Sequence, residues 1–461
     1  MILNKKRFSF AKCYFAALLV ILLLQVLFCL SPSHQQKIEP VFLWPMAIAL
    51  LSLALCQFYR EGRLLWDLFP ALGIVVWMYL SRALNGDPYL QLDLHFMLAV
   101  LLGFGVFYSA PFLPKRMALP RYFGILAKAM VCLLSAISCV ALYCTFTGTS
   151  IGSPFADLQL SALQGRLFFF SMHPNEFACC LSIGFFFAIC SSMDAKRLWA
   201  KLLWGLMALC LWLCVSATVT RTVMISISIG MGMLAFVLVL HALRKRGSLC
   251  KIGIATLSLL CAAVLCFGLF SFATSDLFIK STAGAQDVST QAQADDTLEP
   301  ADRKTLLEQR SLVKDMGTFT GRKAIWQAGL QELKARPITL LIGMTDAAVA
   351  RIPNKYTERN AYHMHNAWLE TLLLAGIPGL ALYLCLMLRI AYCCIKLFFS
   401  EGAPLSQRAL AIVPAILMIN ALMEIYPSYS GKLMDLLFFL VSGVVVILAS
   451  PKSTAENEVS S

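Results

Sequence analysis

The sequence predicts an all-α protein that crosses a membrane many times. Of its 461 residues, 59% are hydrophobic and only 14% are charged, and the mean hydropathy is +0.75. Soluble globular domains are nearer half apolar, with about a quarter of their residues charged. Apolar runs of the roughly 20 residues that a helix needs to cross a bilayer recur along almost the whole chain. These observations predict a polytopic helical bundle with one long polar segment, residues 273–363.

Twelve apolar runs form the predicted membrane spans. The first follows a basic amino terminus, and no small-x-small cleavage site comes after it, so it is predicted to be a retained helix. The 17 cysteines fall almost wholly inside or beside the runs, where they behave as small apolar residues. The predicted spans are residues 13–30, 41–58, 65–80, 91–112, 123–146, 174–192, 198–216, 223–242, 252–272, 377–399, 409–425 and 433–449.

The basic residues between the spans predict the orientation of the chain. Loops such as DAKR and HALRKRGSLCK are rich in lysine and arginine, and they alternate with loops such as SRALNGDPY and ATVTRT, which carry one basic residue each. Since basic loops stay in the cytoplasm, both termini are predicted to be cytoplasmic and residues 273–363 to lie on the outer face. The net charge of +13 therefore reflects orientation signals, and we predict no nucleic-acid partner.

This topology divides the chain into four parts. The predicted parts are a membrane bundle of spans 1–9 (1–272), an extracytoplasmic loop with short helices (273–365), a short helix with spans 10–12 (366–449) and a cytoplasmic tail (450–461).

The long outer loop contains two predicted helices. A polar stretch over 281–300 precedes an amphipathic helix over 302–315. The segment TGRKAIWQAGLQELKARP then predicts a helix that ends at Pro337. After the loop, Gly376 and Pro378 predict a break that separates a short helix, 366–375, from the crossing that follows.

Basic and titratable residues from separate segments meet on the predicted outer face. Arg166 and Arg221 are each as consistent with an arginine that snorkels to the membrane interface as with a functional residue. Arg221, however, lies in the tight turn TVTRT, on the side that the orientation rule keeps poor in positive charge. Arg322 and Lys323 occupy the first turn of a predicted helix, where each cation is unfavourable by about 0.3–1 kcal/mol. A bound anion would offset that cost, and a solvated surface pair is the alternative.

The motif HMHN at residues 363–366 supplies the candidate base. An imidazole with a pKa near 6.5 suits proton abstraction from a hydroxyl, so His365 is the predicted catalytic base. Asn366 is the predicted N-cap and positioning residue, His363 a neighbour, and Glu370 a group that could orient a ring. A plain N-cap beside an interfacial histidine is the alternative. The outer loop has one acidic pair, Asp295–Asp296, and no metal or other cofactor is predicted.

Several of these motifs resemble the O-antigen ligase and polymerase family. The resemblance is carried by TGRKAIWQAGLQELKARPITLLIGMT, followed by HNAWLETLLLAGIPGLALYL, with an Arg–x3–Trp helix and a His–Asn before a Gly–x–x–Gly stretch. The segment HPNEFA (173–178) and the Thr–Arg turn (220–221) stand in the family's order. The similarity extends over roughly residues 166–390.

The resemblance implies a GT-C-like enzyme of the bacterial inner membrane whose active site faces the periplasm. It implies an inverting, metal-independent glycan ligase for lipopolysaccharide biosynthesis. Its donor would be a glycan on undecaprenyl pyrophosphate, and its acceptor a hydroxyl of lipid A-core or a similar molecule. In that assignment His365 activates the acceptor, Asn366 aligns it, and Arg166, Arg221 and Arg322, with Lys323 beside them, hold the pyrophosphate.

Two other functions stay open from the sequence. A polymerase of the same family joins two lipid-linked glycans, and the presence of one large outer loop after a modest 147–170 loop favours a ligase. A polysaccharide transporter or flippase predicts interrupted helices at mid-membrane and repeated halves, and no internal repeat is evident in this sequence.

Overall fold

A computed structural model describes most of the chain. The described residues are 10–30, 38–60, 66–85, 90–114, 118–147, 149–152, 159–163, 166–243, 248–274, 322–356, 363–424 and 431–450. The predicted helix over 302–315 and the polar stretch before it lie outside them.

Helices dominate the described residues, as the sequence predicts. Two π-helical turns and one 3₁₀ turn flank them, at Glu39–Leu43, Leu101–Phe107 and Ala110–Phe112. The helices are α1 (Phe10–Leu30), α2 (Trp44–Arg60), α3 (Phe69–Asn85), α4 (Leu90–Val100), α5 (Leu119–Thr147), α6 (Pro174–Asp194), α7 (Leu198–Ala217), α8 (Arg221–Ala242), α9 (Ser248–Phe272), α10 (Arg322–Ala335), α11 (Thr339–Ile342), α12 (Asp346–Tyr356), α13 (Ala367–Phe398), α14 (Leu405–Leu410), α15 (Ile412–Asn420) and α16 (Leu433–Ala449).

The helices have the length and composition of a polytopic membrane protein. Among the described residues, nine helices are long and apolar enough to cross a membrane, and Leu405–Asn420 and Leu433–Ala449 are shorter apolar helices. Each of the twelve predicted spans overlaps helical residues among those that the structure describes. The all-helical membrane class is thereby confirmed, whereas the count of twelve crossings, the four-part division and the GT-C likeness stay predictions.

Burial separates the interior helices from those that face lipid. In the most apolar window of α6, 78% of the residues are buried inside the protein, against 6% in that of α9. Helix α16 is buried along almost its whole length. A helix that is apolar on every side and exposed must be covered by lipid, so α9 lies at the periphery and α6 and α16 form the centre.

One small sheet, which the sequence did not predict, accompanies the helices. Strands β1 (Ile151–Gly152), β2 (Gln159–Leu163) and β3 (Arg166–Phe169) form an antiparallel sheet between α5 and α6. Strands β2 and β3 pair from Leu160 opposite Phe169 to Leu163 opposite Arg166. Only Gln164 and Gly165 separate these strands in the sequence, and two-residue connections of this kind favour a hairpin.

A pair of glycines fixes the junction between the short helix α11 and the long helix α13. Gly376 (φ +64°) interrupts α13, as predicted, and Gly343 (φ +72°) ends α11. The two breaks touch, because a Cβ on Gly343 would lie 2.3 Å from the Leu374 carbonyl oxygen and one on Gly376 2.7 Å from that of Leu341. Both positions thus require glycine, for conformation and for space.

Candidate active site

A buried carboxylate joins four segments of the chain at one end of the bundle. The Glu424 side chain is 1% exposed. Its Oε1 accepts hydrogen bonds from Arg322 Nη2 at 2.5 Å and from Asn175 Nδ2 at 2.7 Å, and its Oε2 lies 3.3 Å from His365 Nδ1. We call these four residues the Glu424 cluster. A carboxylate withdrawn from water needs charged and hydrogen-bonded partners, and this cluster provides both.

The sequence HPNEFA sets the position of Asn175. His173 caps α6, since its Nδ1 accepts the Asn175 backbone N–H at 3.2 Å, and Pro174 occupies the first helical position. The Asn175 amide then donates to Glu424, while its Oδ1 accepts from the Thr220 hydroxyl at 3.3 Å. The start of α6 is thereby tied to the start of α8.

The backbone around His365 is held in an uncommon conformation. His365 has φ +49°, in the left-handed region that non-glycine residues seldom adopt. Both backbone polar groups of its neighbour Met364 are hydrogen-bonded. The N–H donates to the Glu370 carboxylate at 2.7 Å, and the carbonyl accepts from Trp326 Nε1 at 2.9 Å. Strain of this kind persists where surrounding contacts over-determine it, and it occurs most often at functional sites.

These contacts correct one prediction and explain a motif. Glu370 orients no ring, because its carboxylate binds the Met364 N–H; Glu424 occupies the position beside His365. Arg322 and Trp326 are four residues apart on one face of α10. The Arg–x3–Trp spacing therefore directs one side chain to Glu424 and the other to residues 363–366, which we call the histidine loop.

Asn366 is the N-cap of α13, as predicted. Its Oδ1 accepts the N–H groups of Trp368 and Leu369 at 3.0 and 2.9 Å, and its Nδ2 donates to the Leu422 carbonyl at 3.2 Å. The next N–H, of Ala367, donates to the carbonyls of Ala421 and Glu424. The backbones of the histidine loop and of the segment that carries Glu424 are thus directly joined.

The predicted cations differ in where the structure places them. Arg322 begins α10, and the anion expected at that helix start is, in this structure, the Glu424 carboxylate. Lys323 is exposed and takes part in none of the contacts of the Glu424 cluster that the described residues make. Arg221 is half-buried and follows Thr220, which is hydrogen-bonded to the cluster through Asn175. Arg166 opens β3, and its side chain lies outside what the structure describes.

His363 packs against the candidate base as a neutral ring. The centroids of the two imidazoles are 4.1 Å apart in an edge-on arrangement. Burial, and after it the positive potential of His365, Lys432, His173 and Arg322, lower the pKa of His363 to about 3. At neutral pH His363 therefore adds no positive charge beside His365.

A second buried carboxylate lies next to the cluster in the sequence. Glu176 Oε2 accepts from Lys432 Nζ at 2.6 Å. Burial opposes the charge of Lys432, but the Glu176 carboxylate outweighs it and raises the pKa of the lysine. This pair joins the first turn of α6 to the N-cap of α16.

Roles for Asn175, Glu176, Glu424 and Lys432 were not predicted from the sequence. A usable signal was present, because Glu176 and Glu424 are acidic residues inside predicted apolar spans. Ionisable residues there are costly and commonly functional. Of the described residues, no group of three or more His, Cys, Asp or Glu side chains is arranged to hold a metal ion. Asp295 and Asp296 lie outside them.

The fold and the cluster define a polytopic helical membrane protein with a buried histidine–carboxylate–arginine site at one end of its bundle. Residues 178–384, somewhat under half of the chain, match the sequence model of the family described as O-antigen ligase. The match identifies this stretch as an O-antigen ligase family domain and confirms the predicted resemblance. A search of curated proteins finds no match.

The family match supports a multi-pass bacterial membrane enzyme of lipopolysaccharide biosynthesis that transfers glycans as a ligase or a polymerase. Five of the predicted site residues lie within the matched stretch: Arg221, Arg322, Lys323, His365 and Asn366. Arg166, Asn175, Glu176, Glu424 and Lys432 lie beyond it.

Proposed function

We propose that this protein is a glycan ligase with His365 as its catalytic base. It transfers a polysaccharide from undecaprenyl pyrophosphate to an acceptor hydroxyl, of lipid A-core or a related molecule, on the periplasmic face of the inner membrane. The single observation that carries the proposal is the shared carboxylate: Glu424 holds a histidine on one oxygen and an arginine on the other. An imidazole that could serve as a base therefore lies beside a guanidinium that could stabilise a leaving diphosphate.

The geometry at Glu424 supports a base that works through its far nitrogen. Because an ionised carboxylate can only accept a hydrogen bond, the contact with Glu424 supports the tautomer of His365 that carries its proton on Nδ1. Nε2 then carries the lone pair and can take the acceptor's proton. The carboxylate also stabilises the imidazolium that forms, as the acid partners of other catalytic histidines do.

The proposed transfer is a single inverting displacement that needs no metal. The acceptor oxygen attacks the anomeric carbon as its proton passes to His365 Nε2. The bond from that carbon to the pyrophosphate oxygen breaks, and the pyrophosphate leaves with the electron pair. Arg322 uses one N–H group on Glu424 and has others to offer the departing charge, with Arg221 and Arg166 as further cations. Asn366 keeps the loop in register.

An apolar cavity beside the cluster supports a lipid-linked donor. It has a volume of about 610 Å³ and lies between α8, α9, α13 and α15. Trp368 and Leu422, which contact Asn366, line it near the cluster, and Phe398 and Phe399 line it at the opposite end of α13. Its walls suit an isoprenoid chain whose pyrophosphate reaches the Glu424 cluster.

The decisive test compares His365→Ala with the intact protein in lipid nanodiscs. Given a lipid-linked glycan and a lipid A-core acceptor, we expect glycan transfer to fall about 10²–10⁴-fold, the usual contribution of a general base. Lys334→Gln, at an exposed position in the last turn of α10, is the matched control and should transfer normally, because Lys334 makes none of the cluster contacts that the described residues show. Transfer by His365→Ala at the rate of the control would overturn the base assignment.

The same assay separates the alternatives. A ligase consumes the donor only when the acceptor is present. A polymerase lengthens the donor's own glycan without any acceptor, and a flippase moves the donor across the bilayer without forming a covalent product. The presence of a single large outer loop in the sequence favours the ligase.

A further inference from the structure

A second cavity lies at the end of the bundle opposite the Glu424 cluster. Helix α6 begins at the cluster with Asn175 and ends at Asp194, which lines this cavity; 21 residues at about 1.5 Å each separate the two by roughly 30 Å. Helix α16 likewise begins at Lys432, its N-cap, and reaches the cavity with Leu448. We call it the far-end cavity. Nothing in the proposed transfer uses it, so the inference below is independent of the proposed function.

Two cations of α5 face the far-end cavity. Arg121 and Lys128 are seven residues, or about two turns, apart, which places them on one face of the helix. Both are exposed, and within the described residues neither is in an ion pair with a carboxylate. The cavity contains one acidic group, Asp194, so its walls carry a net charge of +1 and suit a ligand with a single negative charge.

The length of α5 places these cations at the membrane boundary. The helix has 29 residues, about nine more than a helix needs to cross the hydrocarbon layer. Arg121 and Lys128 both fall in its first ten residues, and the remaining 19 are free of Asp, Glu, Lys and Arg. The cations therefore lie at the depth of lipid headgroups, where basic residues attract anionic lipids.

The other walls of the cavity match the remaining parts of a phospholipid. Phe187, Leu410, Val444 and Leu448 form an apolar surface for an acyl chain. Ser191, Gln407 and Asp194 offer hydrogen-bonding groups beside the cations. The volume of about 550 Å³ is within the roughly 300–1,000 Å³ of small-molecule sites.

We propose that the far-end cavity binds an anionic phospholipid with a hydroxyl-bearing headgroup, of the phosphatidylglycerol type. The phosphate lies between Arg121 and Lys128, the headgroup hydroxyls donate to Asp194, and one acyl chain follows the apolar wall. Under the predicted orientation this is a lipid of the cytoplasmic leaflet, on the side opposite the proposed transfer.

The experiment measures lipid retention by native mass spectrometry of the full chain, released from nanodiscs that contain equal phosphatidylglycerol and phosphatidylcholine. We expect Arg121→Gln/Lys128→Gln to retain about 30-fold less phosphatidylglycerol, because each basic residue near the membrane surface contributes roughly 1 kcal/mol to anionic lipid binding and about 1.4 kcal/mol is tenfold. Arg197→Gln/Lys201→Gln, which removes two exposed cations near the same end of the bundle, is the matched control and should retain it as the intact protein does. Equal retention by the two double variants would overturn the proposal.

A thermal unfolding series separates a lipid site from a phosphate site and guards against misfolding. Added phosphatidylglycerol should raise the Tm of the intact protein more than inorganic phosphate or phosphatidylcholine does. An equal rise with phosphate alone would contradict the lipid assignment. Because the side chains of Arg121 and Lys128 are exposed, the Tm of the double variant without lipid should equal that of the intact protein without lipid.

Asp194→Asn should keep lipid retention but lose the preference for phosphatidylglycerol over phosphatidic acid, and an unchanged preference would refute the headgroup contact.

Discussion

The two ends of helix α6 differ in the environment of their polar and charged residues, which are buried and paired at the start of the helix and exposed at its end. At its first turn, Asn175 and Glu176 are buried and engaged by Glu424 and Lys432 from distant parts of the chain. At its last residue, Asp194 is exposed and shares an open cavity with Arg121 and Lys128. The same helix therefore carries an interlocked polar network at one end and loosely held charges at the other.

The difference shows where geometry is fixed by the protein and where it is left to a ligand. A buried charge must be paired, and removing its partner commonly costs about 3–5 kcal/mol, so each member of the Glu424 cluster restricts the others. An exposed charge is screened by water and costs little to leave alone. The first arrangement suits chemistry that needs aligned atoms, and the second suits adaptable binding.

The largest expected effect comes from Glu424→Ala. It leaves Arg322 part-buried without its carboxylate and His365 without its acceptor, so we expect the free energy of unfolding to fall by about 3–5 kcal/mol and transfer to fall to background. Asp194→Ala, at the other end of α6, should change stability by less than about 0.5 kcal/mol. Denaturant unfolding of both variants measures the contrast, and equal losses would break it.

The stability of the protein should vary with pH because of His363, which lies beside the Glu424 cluster. The folded pKa of His363, about 3, is below its ordinary value of 6.5. Between these values the unfolded chain binds a proton that the folded chain does not, so stability falls as pH falls, by up to about 1.4 kcal/mol per pH unit. His363→Asn should flatten this slope between pH 4 and 6.5 in unfolding experiments. A slope as steep in the variant would show that other groups cause it.

Loss of the hydrogen bond between Trp326 and the histidine loop should reduce transfer more than it reduces stability. Trp326→Phe keeps an aromatic ring but removes the hydrogen bond from Nε1 to the Met364 carbonyl. A hydrogen bond of this kind contributes about 0.5–1.5 kcal/mol to stability. Because His365 loses part of what holds its left-handed backbone, we expect transfer to fall by more than this free energy accounts for. Leu330→Ala, on an exposed position of the same helix, is the control for general weakening of α10. Parallel losses of stability and transfer would argue for a purely structural tryptophan.

The cap of α13 should have a measurable effect on stability and a smaller effect on transfer than the other changes. Asn366→Ala removes the acceptor for two helical N–H groups and should lower stability by about 0.5–2 kcal/mol. Asn366→Asp keeps that acceptor but loses the amide N–H given to Leu422. Thermal unfolding should therefore rank the aspartate variant between the intact protein and the alanine variant. Equal Tm values for the two variants would show that the cap contributes little.

Much of the architecture could be predicted because it depends on local patterns. Apolar runs fixed the helices, Asn366 was recognisable as a cap, and Gly376 with Pro378 marked the break in α13. The hairpin of β2 and β3 was missed, since its short strands sit within a loop where neither hydrophobic period is long enough to be seen. Local pattern is thus informative where one segment decides its own conformation.

The site was only partly predictable because its partners are distant in sequence. His365 and Arg322 were identified by residue type and position, but no local signal says that both reach Glu424, which is 59 and 102 residues away. The pairing of Glu370 was misassigned for the same reason, because a backbone N–H competed successfully for its carboxylate. Tertiary contacts between buried polar groups decide these roles, and a single sequence does not contain their distances.

The contact between the breaks at Gly343 and Gly376 has a consequence for how this region can vary. The Met344 N–H donates to the Leu373 carbonyl at 2.8 Å, so the chain from 344 to 373 leaves the junction and returns to it. Extra residues inserted between Tyr356 and His363 would lengthen this segment, while the hydrogen bond between Met344 and Leu373 would still join its two ends. Natural or engineered proteins of this design could therefore change the length of that segment without displacing the histidine.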